Sequence, residues 1–189
     1  MNADLLVYQA KAFYNAYIAL DQLSRDDSDT LLLLFAPLVV NGAFSVELAL
    51  KAILAKNQIE YGKEHNLLIL FQMLPKSFQQ ELWTFLIEKA PEYADPKKGL
   101  DELVLLSNAF VDWRYAFEGK RLPAIGLRFL SAFANAAIRT MFSHYNTDLR
   151  PVAKTESDNA IEQKFRDNCE KCKEINLKMI KKKTKEHQL

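Results

Sequence analysis

The stretch Pro37–Lys56, PLVVNGAFSVELALKAILAK, decides the fold. Almost every side chain in it is apolar, and its only charges are Glu47, Lys51 and the terminal Lys56. A helix that is apolar nearly all round belongs at the centre of a bundle, with neighbours on several sides. Glu47 and Lys51 are four residues apart, so they share one helical stripe, with the glutamate on the favourable N-terminal side. Two readings of the pair stand open. It is either a polar station buried inside the bundle or a surface ion pair contributing about 0.3–0.5 kcal/mol. Spacing alone favours the surface pair.

Working outward, the flanking segments also read as helices. Ala3–Ser24 repeats Leu5, Ala12, Ala16, Ala19 and Leu23 at three- and four-residue spacing, with Phe13, Tyr17 and Leu20 widening the apolar face. Asp and Ser in 25–29 offer caps before the central helix, which starts near Thr30 and ends near Asn57. Pro37 implies a kink, or a separate turn over 31–36. A short helix over Asn66–Met73 ends before Pro75, and Ser77–Lys89 presents Phe78, Leu82, Phe85 and Leu86 on one side. Residues 90–99, with two prolines and a glycine, read as a loop. Leu100–Glu118 reads as one helix, with Leu103, Leu106, Phe110, Trp113 and Phe117 facing the core and Gly119 as its C-cap. Leu122-Pro123 opens the last core helix, which runs to about Tyr145. Its apolar side holds Ile125, Phe129, Phe133, Ala136, Ala137 and Met141, and its polar stripe holds Arg128, Ser131, Asn135 and Arg139.

The predicted class is therefore all-α: an antiparallel helical bundle over 1–149, with a charged, basic helical extension over 150–189. Five glycines and six prolines in 189 residues agree with helices rather than a turn-rich β fold. The formal charge of +1 gives no global argument for nucleic acid. Its distribution is uneven: residues 1–149 carry 14 basic and 17 acidic groups, net −3, and 150–189 carry 11 and 7, net +4. The uncharged run Thr30–Val46 is short for a membrane span and holds Pro37, Asn41, Gly42 and Ser45, so a core helix explains it better. With two cysteines and no signal-like N-terminus, a cytoplasmic protein with no membrane partner is expected.

Glu47-Leu-Ala-Leu-Lys51-Ala-Ile-Leu, followed by Glu64-His65-Asn66-Leu67 and Phe71-Gln-Met-Leu-Pro75, resembles the HEPN family of helical domains. The resemblance runs over roughly positions 35–145. It implies an all-α bundle, a homodimer with its site at the two-fold interface, and a part in RNA cleavage, toxin–antitoxin pairs or abortive infection. Phe110-Val-Asp-Trp-Arg114-Tyr115-Ala-Phe-Glu118 is similar to the Arg-Tyr segment that many HEPN domains carry before their last helix. The family's ribonuclease signature places a histidine after four to six further residues, but Gly119, Lys120 and Arg121 stand there, and none acts as a general acid or base near neutral pH. Arg114 then holds a phosphate through its donor fork, or pairs with Glu118 or Glu47.

Arg139-Thr-Met-Phe-Ser-His144 spells the signature literally but lies at the end of the last core helix. Five residues apart, the two side chains project about 140° from each other on a straight helix. His65 reads as a cap or a hydrogen-bonded structural group. Cys169 and Cys172 form a lone CxxC, two of the four ligands a structural zinc needs, and both fall on an apolar stripe. No cofactor or metal is expected.

Three functions follow. The first is a HEPN-like defence or toxin–antitoxin protein that binds RNA, a nucleotide or an antitoxin-like partner through a polar groove. Glu47, Lys51, Arg114, Glu118, Arg128 and Arg139 are the candidate ligand-binding residues. The second is a divergent, metal-independent ribonuclease using Arg114 or Arg139 with His144. The third is a structural dimerisation module without a ligand.

Overall fold

The computed structural model describes residues 3–25, 28–114 and 124–145. The chain divides into two units, Met1–Asn146 and Thr147–Leu189. The second lies outside the described residues, and with it the predicted charged extension, Cys169 and Cys172. Glu118 and the predicted helix start at Leu122-Pro123 are outside them as well.

The first unit is all-α among the described residues: α1 Ala3–Ser24, α2 Ser28–Lys56, α3 Leu67–Met73, α4 Lys76–Lys89, a 3₁₀ turn at Pro91–Tyr93, α5 Pro96–Leu106, α6 Ala109–Arg114 and α7 Leu127–His144. The 29-residue α2 is the axis and packs on α1, α3, α6 and α7, while α4 packs on α7. By length and composition α2 could cross a bilayer. Its second half is buried in protein from Ser45 to Leu54, whereas Leu32 and Leu33 near its start are 76% and 81% exposed. Gly42 lies where three helices meet. A Cβ there would stand 3.0 Å from the Tyr17 ring and 3.1 Å from Leu130, so the missing side chain admits α1 and α7 close to the axis.

Pro37 does not divide α2. Its missing N–H deprives the Leu33 carbonyl of an intrahelical partner, and that end of the helix is open to water. The Asn41 amide donates to the Pro37 carbonyl at 2.7 Å. At the far end α2 closes in a Schellman motif: the Ile59 N–H reaches the Leu54 carbonyl (3.0 Å) and the Gln58 N–H that of Ala55 (3.1 Å). Gln58 sits at φ 56°, the left-handed position that glycine usually fills. Gln58→Gly is expected to raise unfolding free energy by about 0.5–1 kcal/mol, read from urea titrations, because the side chain's clash is removed. An unchanged or lower midpoint would count against this cap.

Several predicted elements are corrected. In α1 the stripe Leu5, Ala12, Ala16, Ala19 and Leu23 faces outward, and Leu6, Val7, Ala10, Tyr17 and Ser24 face the core. Both sides of α1 are apolar, and the bundle takes the one that carries Tyr17. The predicted loop 90–99 is mostly structured: Asp95 caps α5 through the Lys97 N–H (3.0 Å), and Pro96 occupies the first turn. The single predicted helix 100–118 breaks at Ser107-Asn108. The Ser107 carbonyl turns away to accept the Leu67 N–H of α3 (2.8 Å), so the Val111 N–H bonds Asn108 instead and starts α6. α7 begins at Leu127, four residues later than its predicted start at Pro123, with Gly126 as N-cap.

Gly99 sits inside α5 against the Trp83 ring, where a Cβ would lie 2.5 Å from the indole. Gly99→Ala should therefore lower stability by about 1–2 kcal/mol, overpacking outweighing alanine's better helix propensity. Trp83→Leu in the same chain should recover part of that loss, as chemical denaturation of the four variants will show.

Candidate functional site

α2 places Glu47 and Lys51 one turn apart, and both are buried, at 1% and 8% exposure. The Lys51 ammonium donates to Glu47 Oε1 at 2.8 Å. The surface reading of this pair is thus corrected to the buried one. A third group completes it: His65 Nδ1 lies 2.9 Å from the same Glu47 oxygen, although half of the His65 side chain is exposed. Because a carboxylate only accepts, Nδ1 carries the proton in this contact.

The loop after α2 positions that histidine. Glu64 Oε1 accepts the N–H groups of Asn66 (2.7 Å) and His65 (2.8 Å). The Asn66 N–H, the His65 N–H and the Lys51 charge hold the Glu64 carboxyl below its ordinary value, against a smaller push upward from burial. Asn66 caps α3 through the Ile69 N–H and donates to Asn108 at 3.3 Å. The Tyr61 ring lies 5.5 Å from the Lys51 ammonium, and burial pushes its phenol up. Glu47 Oε2 makes no hydrogen bond among the described residues. Glu47 and Lys51 therefore spend their charges on each other and on the loop, inside the bundle rather than along an open groove.

Arg114 ends α6, exposed, with its guanidinium 5.0 Å over Phe110. Phe110 stacks on Phe44 at 4.2 Å, and Phe44 meets the edge of Phe13 at 4.6 Å.

The remaining candidates lie along the seam between α4 and α7. Arg128 Nε pairs with Glu92 at 2.9 Å, and its Nη2 donates to the Lys89 carbonyl at 3.0 Å. Arg139 Nη1 pairs with Glu88 at 2.7 Å, and its guanidinium lies 3.9 Å over Phe85. His144 Nε2 meets Glu81 Oε2 at 2.5 Å, with its ring 4.4 Å from Phe78. Arg139 and His144 both turn to α4, despite their divergent directions on an ideal helix. They meet carboxylates two turns apart, about 10 Å along its axis. Sequence reading missed Glu81, Glu88, Glu92 and Lys89. The seven-residue spacing of Glu81 and Glu88, beside Phe78 and Phe85, was the available signal. No group of three or more His, Cys, Asp or Glu side chains among the described residues could hold a metal.

An axial apolar helix, an internal Glu–Lys pair and a loop histidine locked to that pair define a small all-α bundle domain of one recognisable class. Residues 36–120 match the HEPN domain family model, which supports a HEPN assignment for this segment. No curated protein shows significant similarity to the chain, and no solved structure does.

Proposed function

We propose that this HEPN-like protein serves a prokaryotic defence or toxin–antitoxin system by binding RNA without HEPN-type cleavage. One observation carries the reading: the arginines and the histidine of α7 are held apart. Arg139 and His144 are tied to Glu88 and Glu81, so the literal Arg-x4-His string forms no joint acid–base and phosphate-holding site. The segment after Arg114 offers no histidine in the signature's place. What the α7 edge does offer is guanidinium donors. Arg128 and Arg139 each meet a carboxylate through one nitrogen, leaving further N–H groups to engage phosphate.

The test pairs two assays on the full chain: cleavage of a labelled single-stranded RNA without and with added divalent metal, and its binding by fluorescence anisotropy. The expected result is binding without cleavage, with affinity reduced about threefold or more by Arg128→Gln plus Arg139→Gln and a salt dependence weakened by about 0.7 per lost contact. Cleavage abolished by Arg114→Ala or His144→Ala in a folded protein would overturn the reading in favour of a divergent ribonuclease. Absence of both activities would overturn it in favour of an assembly module.

A further inference from the structure

Lys89 at the C-terminal end of α4 meets Arg128 at the start of α7, and the charges of Arg25, just past α1, and Arg139, farther along α7, also act on it. Three carboxylates accompany them, and each is already committed. Asp21 holds Arg25 at 2.5 Å, Glu92 holds Arg128 at 2.9 Å and Glu88 holds Arg139 at 2.7 Å. Lys89 is the cation left over: it has no ion-pair or hydrogen-bond partner for its ammonium among the described residues. Arg128 is anchored beside it by the bond from Nη2 to the Lys89 carbonyl.

The electrostatics run the same way. Burial, first, and then the charges of Arg128, Arg25 and Arg139 pull the Lys89 ammonium below its ordinary value, and Asp21 only partly opposes them. A cation held in part-buried surroundings among three arginines is relieved by an anion with several acceptor oxygens. Phosphate has that form, and the arginine donors suit it.

We propose that Lys89, Arg128 and Arg25 form a phosphate-binding corner that seats one phosphodiester group of an RNA strand. This deepens the RNA-binding reading above and rests on it for the identity of the ligand. The phosphate enters between Lys89 and Arg128 and takes the open guanidinium donors, while Glu92 and Asp21 keep the arginines oriented. Arg139, tied to Glu88 and stacked on Phe85, adds charge from farther along α7.

The experiment measures anisotropy of a labelled single-stranded oligoribonucleotide across a salt series. It compares wild type with Lys89→Gln, Arg128→Gln and the surface control Lys63→Gln, all checked for helicity by circular dichroism. Inorganic phosphate is titrated separately against the wild type and followed by NMR shifts of the Lys89 and Arg128 amides. Each corner variant should lose about three- to tenfold in affinity and flatten the salt slope by about 0.7, and Lys63→Gln should do neither. Phosphate should move the Lys89 and Arg128 amides and leave that of Lys63 in place. If wild type binds RNA and Lys89→Gln and Arg128→Gln bind it equally well, the corner is refuted and the RNA reading survives. If phosphate shifts the corner amides while no RNA binds, the corner stands for a free phosphate compound and the RNA reading fails. Should Lys89→Gln prove unfolded, Arg128→Gln and the phosphate titration decide the matter.

Discussion

Replacing Glu47 by alanine is expected to cost about 3–5 kcal/mol of unfolding free energy, the largest effect of any polar residue in the bundle. The carboxylate is 1% exposed and Lys51 8% exposed, so the mutation leaves an ammonium with little water and no partner on the central helix. His65 loses its acceptor in the same step. Lys51→Met should cost a comparable amount, because it leaves the buried carboxylate with only the histidine N–H. The double variant Glu47→Leu/Lys51→Met should lie near wild type, since a well-packed apolar pair removes the desolvation cost along with the attraction. His65→Ala should cost less than either single change, its ring being half-exposed. Urea unfolding of wild type, Glu47→Leu, Lys51→Met and the double variant gives the pairwise coupling through a double-mutant cycle. Single-variant losses under about 0.5 kcal/mol would return the pair to the class of surface salt bridges.

The axial helix was readable because its composition leaves no polar side, and an apolar surface of that extent demands neighbours all round. Burial of Glu47 and Lys51 was not readable, because i and i+4 spacing is identical for an exposed and an enclosed pair. What encloses them is the loop after α2, fixed by Glu64 and Asn66. The facing of α1 was missed for a related reason. Alanines at 12, 16 and 19 extend an apolar stripe without adding volume, and the core is chosen by the larger Tyr17 and the contacts it makes through Gly42. The break at Ser107 has no periodic signature at all. It arises because a carbonyl that would continue one helix is used to start another.

The same division separates the fold from the candidate site. The Glu47–Lys51–His65 cluster ties α2 to the loop before α3 and is closed on itself. In the proposed reading, ligand binding falls to side chains whose donors are only partly used, and those stand on the α4–α7 seam. Local sequence could name Arg128 and Arg139, because a polar stripe on a helix is a periodic pattern. It could not name Lys89, whose proposed role depends on Arg25, just past α1, and on Arg128 of α7.

Raising the pH above about 10 should destabilise this bundle well before its lysines discharge fully, and Tyr17 should carry the largest share. The Tyr17 side chain is fully buried between α1, α2 and α7, and its hydroxyl makes no hydrogen bond of good geometry, although Ser131 lies beside it. Burial pushes the phenol up to about 12 from its ordinary 10.0. An unfolded chain ionises Tyr17 near 10 and the folded chain holds the proton to about 12. Stability is therefore complete below about pH 10 and falls as pH rises through that window, by roughly 3 kcal/mol for a shift of about two units. Burial also raises Tyr61, Tyr93 and Tyr145, so they add to the fall in the same direction. Tyr17→Phe removes a buried hydroxyl that has no well-formed bond, so it should cost little or nothing at neutral pH and flatten the alkaline decline. Urea midpoints measured from pH 8 to about 12, alongside tyrosinate absorbance of the folded protein, test both statements. An alkaline decline as steep in Tyr17→Phe as in wild type would assign the effect to other groups.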